Sequence, residues 1–505
     1  MKITLISPRL AIQKGDFFGS GVLYWPLELA VLAAFLRQEG DSVEVIDLLG
    51  MAPFTLEDRG DHYLQGKAFH DCRLSSEVLQ SEVFIIYALS YMSHQEVLSI
   101  AGEIRHIKDD AHIAILENAQ AVTAYSLDTV SEEMFRSGVD LLLCGEVYWN
   151  WRDIRSYLEH PDSIPVPGNV LTLETSPGRV VQRIINQHPS YPVPAWDLFP
   201  LSSYWSLPYS HGPKTAKYLP LLTSRGCPFP CDFCVSPAMN QSKWRGRSPD
   251  EIVSEMIALR DKFGVRHFQV EDLNPTVDSA RWLEICRELI AKNAGIFYYF
   301  VSGTKAETIR VEDIPLYAQA GCRYLSISPE SGNPEVLKII GKSFDYEHGI
   351  KLVRACHQHG IYTQACLLVG HPAEAGNQGW QLSGDYIRRL VNAGLDEVGI
   401  FIVAALPGSR LALEGKVDFV SRQALVSFSP KGRSGWEKLD YQRRQLIRIF
   451  LWEKLKQGTA IWIQGIRALL GIPRTKMENL PRRIIWMYGL LLKNYLQKII
   501  RKGNL

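Results

Sequence analysis

Three cysteines, Cys227, Cys231 and Cys234, stand within the run Ser-Arg-Gly-Cys-Pro-Phe-Pro-Cys-Asp-Phe-Cys. The C-x3-C-x2-C spacing crowds three soft thiolates onto one short loop. That donor set suits an iron–sulfur cluster with one iron left free of protein ligands. An iron open to a further ligand is a place for chemistry, so the loop points to an enzyme. Four-thiolate zinc sites want a second ligand pair downstream, and no C-x2-C or H-x3-H pair follows. The other six cysteines, Cys72, Cys144, Cys286, Cys322, Cys356 and Cys366, are scattered singly through apolar segments. They read as buried packing in a reducing cytoplasm rather than as a disulfide framework.

The elements that must position this loop follow a βα beat. A length of 505 residues suggests about three domains. Over 1–155, strands at 2–7, 42–48, 82–89, 112–117 and 139–144 alternate with helices, the first at 26–39. Such alternation predicts a doubly wound, Rossmann-like parallel sheet with ligands at the carboxyl ends of its strands. Residues 156–218 form a linker in which Pro161, Pro165, Pro167, Pro177, Pro189, Pro192, Pro194 and Pro200 forbid long regular elements. From 219 to 410 the beat resumes. A strand at 218–223 delivers the cysteine loop, and others follow at 266–271, 296–301, 323–328, 362–369 and 397–403. Six strands make a partial (β/α)6 TIM-like barrel with its reactive loops at the carboxyl ends.

The cysteine loop resembles the signature of the radical S-adenosylmethionine (SAM) enzymes. Phe233 matches the aromatic favoured before the last cysteine, and Arg225, Gly226 and Pro228 match a subset reading R-G-C-P. The resemblance implies a [4Fe–4S] cluster on the three cysteines, with SAM on the fourth iron. One electron then breaks the cofactor's S–C bond. By the same resemblance Glu271 or Asp272, in V-E-D-L-N, meets the SAM amino group. Glu330 and Ser331, in the E-S-G of Ser328–Gly332, meet the ribose, with Leu337 and Lys342 at the family's spacing and Gly332 turning the backbone. Gly370 lies beneath the adenine, and Pro407, in Ala405–Ser409, closes its pocket. His371, beside Gly370, reads as a solvated or structural histidine.

The pattern P-L-x-L-A-x-L-A-A-x-L-x-x-x-G-x-x-V-x-V-x-D, from Pro26 to Asp47, resembles the cobalamin-binding domain that precedes many such enzymes. Gly138–Glu146 resembles that domain's last strand and loop, and Pro192–Asp197 resembles the linker between the two domains. This implies that Ser90, Tyr91, Gly145 and Glu146 line a cobalamin. No D-x-H-x-x-G occurs to supply a histidine lower ligand. A scaffold that has lost the cofactor is the competing reading.

The net charge of +1 gives no sign of nucleic-acid binding. Residues 411–505 read as a helical tail, and 451–505 hold eleven Lys/Arg against Glu453 and Glu478. Its helices, notably 484–492, are basic and amphipathic. They suit peripheral contact with a membrane interface or packing over the barrel mouth. No apolar run is long enough to span a bilayer. The expected activity is a cobalamin-dependent radical SAM methyl transfer to an unactivated centre of a small-molecule or lipid-like intermediate. An electron donor such as flavodoxin or ferredoxin would serve it. A cyclase or oxidoreductase of the same architecture is the alternative, and a non-catalytic iron–sulfur protein the other. Nothing in 17–25 specifies a substrate.

Overall fold

The computed structural model describes residues 1–16, 19–121, 123–176, 178–184, 190–374, 379–417 and 427–503. Pro177 and Pro189, and Phe17 and Phe18 of the 17–25 stretch, lie outside the described residues.

The first sheet is built on β1 (Lys2–Ser7), β2 (Ser42–Asp47), β3 (Val83–Ala88), β4 (His112–Glu117) and β5 (Leu141–Leu143), parallel and in the order β2-β1-β3-β4-β5. All six residues of β3 are buried, as a central strand covered by helices on both faces requires. Helix α1 (Leu27–Gln38) begins straight after Pro26 and is buried along most of its surface, because it is wedged between this sheet and the second. Two features depart from the pattern expected of the sequence. Val170–Leu171, inside the proline-rich stretch, adds an antiparallel strand, β6, beside β5. A small antiparallel sheet of Leu10–Gln13, Leu56–Asp58 and His62–Gln65 stands apart.

The second sheet contains β7 (Tyr218–Leu221), β8 (His267–Val270), β9 (Phe297–Thr304), β10 (Cys322–Glu330), β11 (Tyr362–Val369) and β12 (Glu397–Ile402). All neighbours are parallel, in sequential order. This is the open, six-stranded βα array expected. Its helices carry ordinary punctuation. Pro249–Phe263, for example, starts with a Ser248–Glu251 capping box and stops at Gly264, whose φ is 67°.

Three C-terminal helices follow: α2 (Trp436–Lys456), α3 (Thr459–Leu470) and α4 (Lys476–Gly503). The start of α4 bridges the two edges of the second sheet. The Met477 amide donates to Glu397 at the head of β12 at 2.7 Å, and Asn479 donates to the Gly212 carbonyl, just ahead of β7, at 3.4 Å. One hydrophobic core runs without a break from Ile3 in the first sheet, through α1, into the second sheet and on to Phe450 in α2.

Candidate active site

The cysteine loop leaves β7 through Ser224-Arg225, which pairs with Arg245-Gly246 in a two-residue antiparallel bridge. Gly226 then turns at φ 77°, and a Cβ there would meet the Lys243 carbonyl at 2.1 Å. Only glycine fits so tight and left-handed a position. The loop is pinned further by the Asp232 amide on the Ile340 carbonyl at 3.0 Å. Cys227, Cys231 and Cys234 all face one cavity of about 290 Å³, with Phe233 beside them. Burial pushes the Cys231 thiol up to about 11 and Cys234 to about 12, and raises Cys227. Metal binding must therefore drive off their protons. Among the described residues no three His, Cys, Asp or Glu side chains close on a single ion. Three thiols spread along one cavity wall suit the corners of a cluster, with room left beside it.

Glu330 lies at the end of β10 and lines the same cavity. It adopts φ 62°, a left-handed backbone that is costly for a glutamate and typical of functional positions. A register shift in the β10–β11 ladder accompanies it. Lys342, fully buried, donates to Glu330 Oε1 and to Ser328 Oγ, both at 2.7 Å. Burial pulls the Lys342 pKa down, but Glu330 and the nearby Cys231 outweigh it and the net shift is upward. The turn expected at Gly332 is therefore made by Glu330 itself. Gly332 is needed for another reason: a Cβ there would meet the Leu382 carbonyl carbon at 2.4 Å. Ser331 points into the turn, its Oγ accepting from the Asn333 amide at 3.1 Å, and is absent from the cavity wall.

Glu271 and Asp272 diverge although adjacent. Asp272 is fully buried and accepts from the Thr223 amide, the Thr223 hydroxyl and the Ser224 hydroxyl, so it knits the base of the cysteine loop. Glu271 Oε2 accepts from His211 Nδ1 at 2.6 Å, while its Oε1 is buried with no partner among the described residues. Glu271 lines a smaller pocket that adjoins the main cavity at Tyr24 and Ser302. An orphaned carboxylate oxygen there fits a ligand's ammonium group.

Gly370 and Pro407 stand just behind the cavity rather than in its wall. Gly370, at φ 78°, donates to Glu374 at 2.7 Å, and its carbonyl accepts from Arg433. The Pro407 carbonyl accepts from the Ser126 amide at 3.0 Å, joining the last barrel turn to the first domain. His371 is buried, with Nε2 3.1 Å from Asp232 in the cysteine loop, so it braces that loop and is not solvated. Cys356 is buried as expected, whereas Cys366 forms part of the cavity wall.

The four residues expected to line cobalamin have other contacts. Ser90 caps the turn after β3 through the Met92 amide, and the Tyr91 ring packs on His94 and Tyr125. The Gly145 amide donates to Glu117 at 2.9 Å, and the space above Gly145 is taken by the Arg183 backbone. Glu146 is buried and held by Arg245 at 2.5 and 2.8 Å. The first sheet instead reaches the cavity through Met92 and Thr123, in the loops after β3 and β4, with Val22 and Tyr24. These are carboxyl ends of parallel strands, where a doubly wound sheet binds its ligands. They form a mostly apolar part of the lining of the cavity that holds the cysteines, and such a lining suits a ligand bound between the two domains. His211 also lines the cavity, as do Lys476, Asn479, Leu480 and Arg483 from α4. No sequence periodicity marks these contributors; only their partners in space do.

Residues 221–377 match the family model of the radical SAM superfamily. It is similar to the cytidylyl-2-hydroxyethylphosphonate methyltransferase of Streptomyces wedmorensis, 23% identical across 82% of this chain and 81% of the relative. In fold it is similar to the radical SAM methyltransferase TsrM of Kitasatospora setae, solved with cobalamin and a [4Fe–4S] cluster. That match has a TM-score of 0.59 and 17% identity, covering 82% of this chain and 77% of that one. The cobalamin-dependent radical SAM enzyme OxsB, solved with aqua-cobalamin and SAM, matches with a TM-score of 0.62 and 14% identity. It covers 100% of this chain and 81% of that one. Residues 221–377 thus carry the radical SAM match, and the chain shares the fold of TsrM and OxsB.

Proposed function

We propose that this chain is a cobalamin-dependent radical SAM methyltransferase acting on an unactivated centre of a small-molecule or lipid-like intermediate. One observation carries the reading: a single cavity is lined both by the cysteine loop and by the loops at the carboxyl ends of the first sheet. Similarity to a methyltransferase over about four-fifths of the chain supports it. So does the shared architecture with two structures solved with cobalamin.

When bound, the cluster and SAM supply a one-electron cleavage of the S–C bond, and cobalamin supplies a methyl group. Cys227, Cys231 and Cys234 would hold the cluster. Glu330, fixed by Lys342, would accept from the SAM ribose, and the open oxygen of Glu271 would take its ammonium. Met92 and Thr123 would help hold the cobalamin. Phe233, Leu368, Phe401 and Val403 keep the cavity apolar, which limits water around a reactive species. A flavodoxin or ferredoxin is the proposed electron donor, and 1–155, 156–218, 219–410 and 411–505 are the proposed functional units.

The test is anaerobic reconstitution followed by incubation with a strong reductant and methyl-labelled SAM. The reading expects 5′-deoxyadenosine and label transferred to product in a cell extract of small molecules. No 5′-deoxyadenosine would overturn it. 5′-Deoxyadenosine with unlabelled product would mark a cyclase or oxidoreductase instead.

A further inference from the structure

The C-terminal helices present an apolar surface that the folded chain leaves uncovered. On α3, Trp462, Ile463, Ile466, Leu469 and Leu470 fall at i, i+1, i+4, i+7 and i+8, one face of a helix. That face is the exposed one: Trp462 is 71% exposed, Leu469 79% and Leu470 66%. An ordinary surface helix turns such a stripe inward. The neighbouring helices repeat the pattern. Leu451, Trp452 and Leu455 are exposed on α2, and Ile485, Tyr488, Leu492, Tyr495 and Leu496 on α4. Helix α3 packs against both of them, so the three striped helices are neighbours.

Among the described residues of 451–505 the exposed charged side chains are all basic. Lys456, Arg474, Arg482 and Lys493 are exposed there. The two acidic residues of 451–505 are turned inward: Glu453 is bonded to Lys456, and Glu478 is held by Arg467 and the Arg474 amide. Among the described residues no helix is long and apolar enough to cross a membrane. Exposed Trp, Tyr, Ile and Leu bordered by Lys and Arg, without a spanning segment, are the chemistry of a helix lying in a membrane interface. Helix α4 joins this surface to the active site. Its first turns, Lys476, Asn479, Leu480 and Arg483, line the cavity, and its later turns carry the exposed stripe.

We infer that the outward face of α2, α3 and α4 docks on an anionic phospholipid surface, holding the cavity mouth near the bilayer. The inference deepens the lipid-like end of the proposed substrate range, yet docking itself needs neither cluster nor cobalamin. The basic rim draws the face to anionic headgroups, and the Trp/Ile/Leu stripe enters the interfacial layer.

The test is flotation of the full-length protein with vesicles of phosphatidylcholine alone and of phosphatidylcholine with phosphatidylglycerol. The wild type is expected to float with the anionic vesicles and to be released by high salt. The quadruple variant W462S/I466S/L469S/L470S should float about tenfold less. All four positions are exposed, so its melting temperature should be unchanged. Wild-type protein that stays unbound to both vesicle types would overturn the inference. So would light scattering that finds a dimer which the quadruple variant dissolves, because the face would then belong to a second copy. Formation of 5′-deoxyadenosine without vesicles should match wild type in the variant. Its loss in both proteins would instead count against the radical reading alone.

Discussion

Arg225 Nη1 lies 3.0 Å from Glu28 Oε1, with both side chains buried between the cysteine loop and the first helix of the other domain. The guanidinium also sits over the rings of Tyr148 and Tyr191, 5.1 Å from each centroid. Two positions before the first cysteine of the loop, a buried ion pair thus fixes the loop to the first domain.

Breaking that pair from one side should be costly, because a buried charge is stranded. Glu28→Gln or Arg225→Met alone is expected to lose about 3 kcal/mol or more of stability. The double variant should recover a good part of it. Chemical denaturation of the three variants checks this, and equal losses that simply add would show that the two residues are not coupled.

Glu330 and Lys342 form the second ion pair that matters. Glu330→Gln keeps the shape and removes the charge, so it should weaken SAM binding about ten- to a hundredfold, the worth of one charge-assisted hydrogen bond. The KM for SAM in 5′-deoxyadenosine formation measures it. An unchanged KM would take Glu330 out of the SAM site.

Gly226→Ala should damage the cluster loop selectively. The added Cβ would lie 2.1 Å from the Lys243 carbonyl on a backbone at φ 77°, a strain of about 1–3 kcal/mol. Iron and sulfide bound per chain should fall well below wild type, with the circular dichroism of the helices retained.

Glu397 gives a pH signature. Burial raises its pKa from 4.5 to about 7, offset by Lys476, the Tyr324 hydroxyl and the Met477 amide. The folded state therefore holds this proton more tightly than the unfolded chain does. The associated stability is complete below pH 4.5 and is lost as pH rises through about 7. Its size is about 3 kcal/mol. Glu397→Gln should flatten stability across that window, and urea midpoints at a series of pH values would show a persistent slope if the assignment is wrong.

Much of this molecule was legible in its residues. The strand at 82–89 announces itself by the apolar run that follows Glu82, and the C-x3-C-x2-C loop names its own donors. What stayed hidden depends on pairing at long range. Val170–Leu171 is too short to carry a period, and it becomes a strand only because β5 offers a free edge. Asp272 and Glu271 are the same chemistry one residue apart; strand geometry sends one into the Thr223 loop base and the other toward His211. Glu146 looks like a loop carboxylate until Arg245, 99 positions on, occupies it. Lys476 and Asn479 lie beyond the expected barrel, and nothing local says that α4 closes its seam.

The uninterrupted core from Ile3 to Phe450 bears on how this chain can be taken apart. Its outline is that of two modules and a tail, yet there is no seam along which to cut. A fragment starting near Lys214 would leave Arg225 and Arg245 without Glu28 and Glu146, and would bare the apolar flank that α1 covers. A fragment ending before α2 would open the second sheet between its two edges. The polypeptide should therefore melt in one transition, and recombining separately made halves should yield aggregates rather than enzyme.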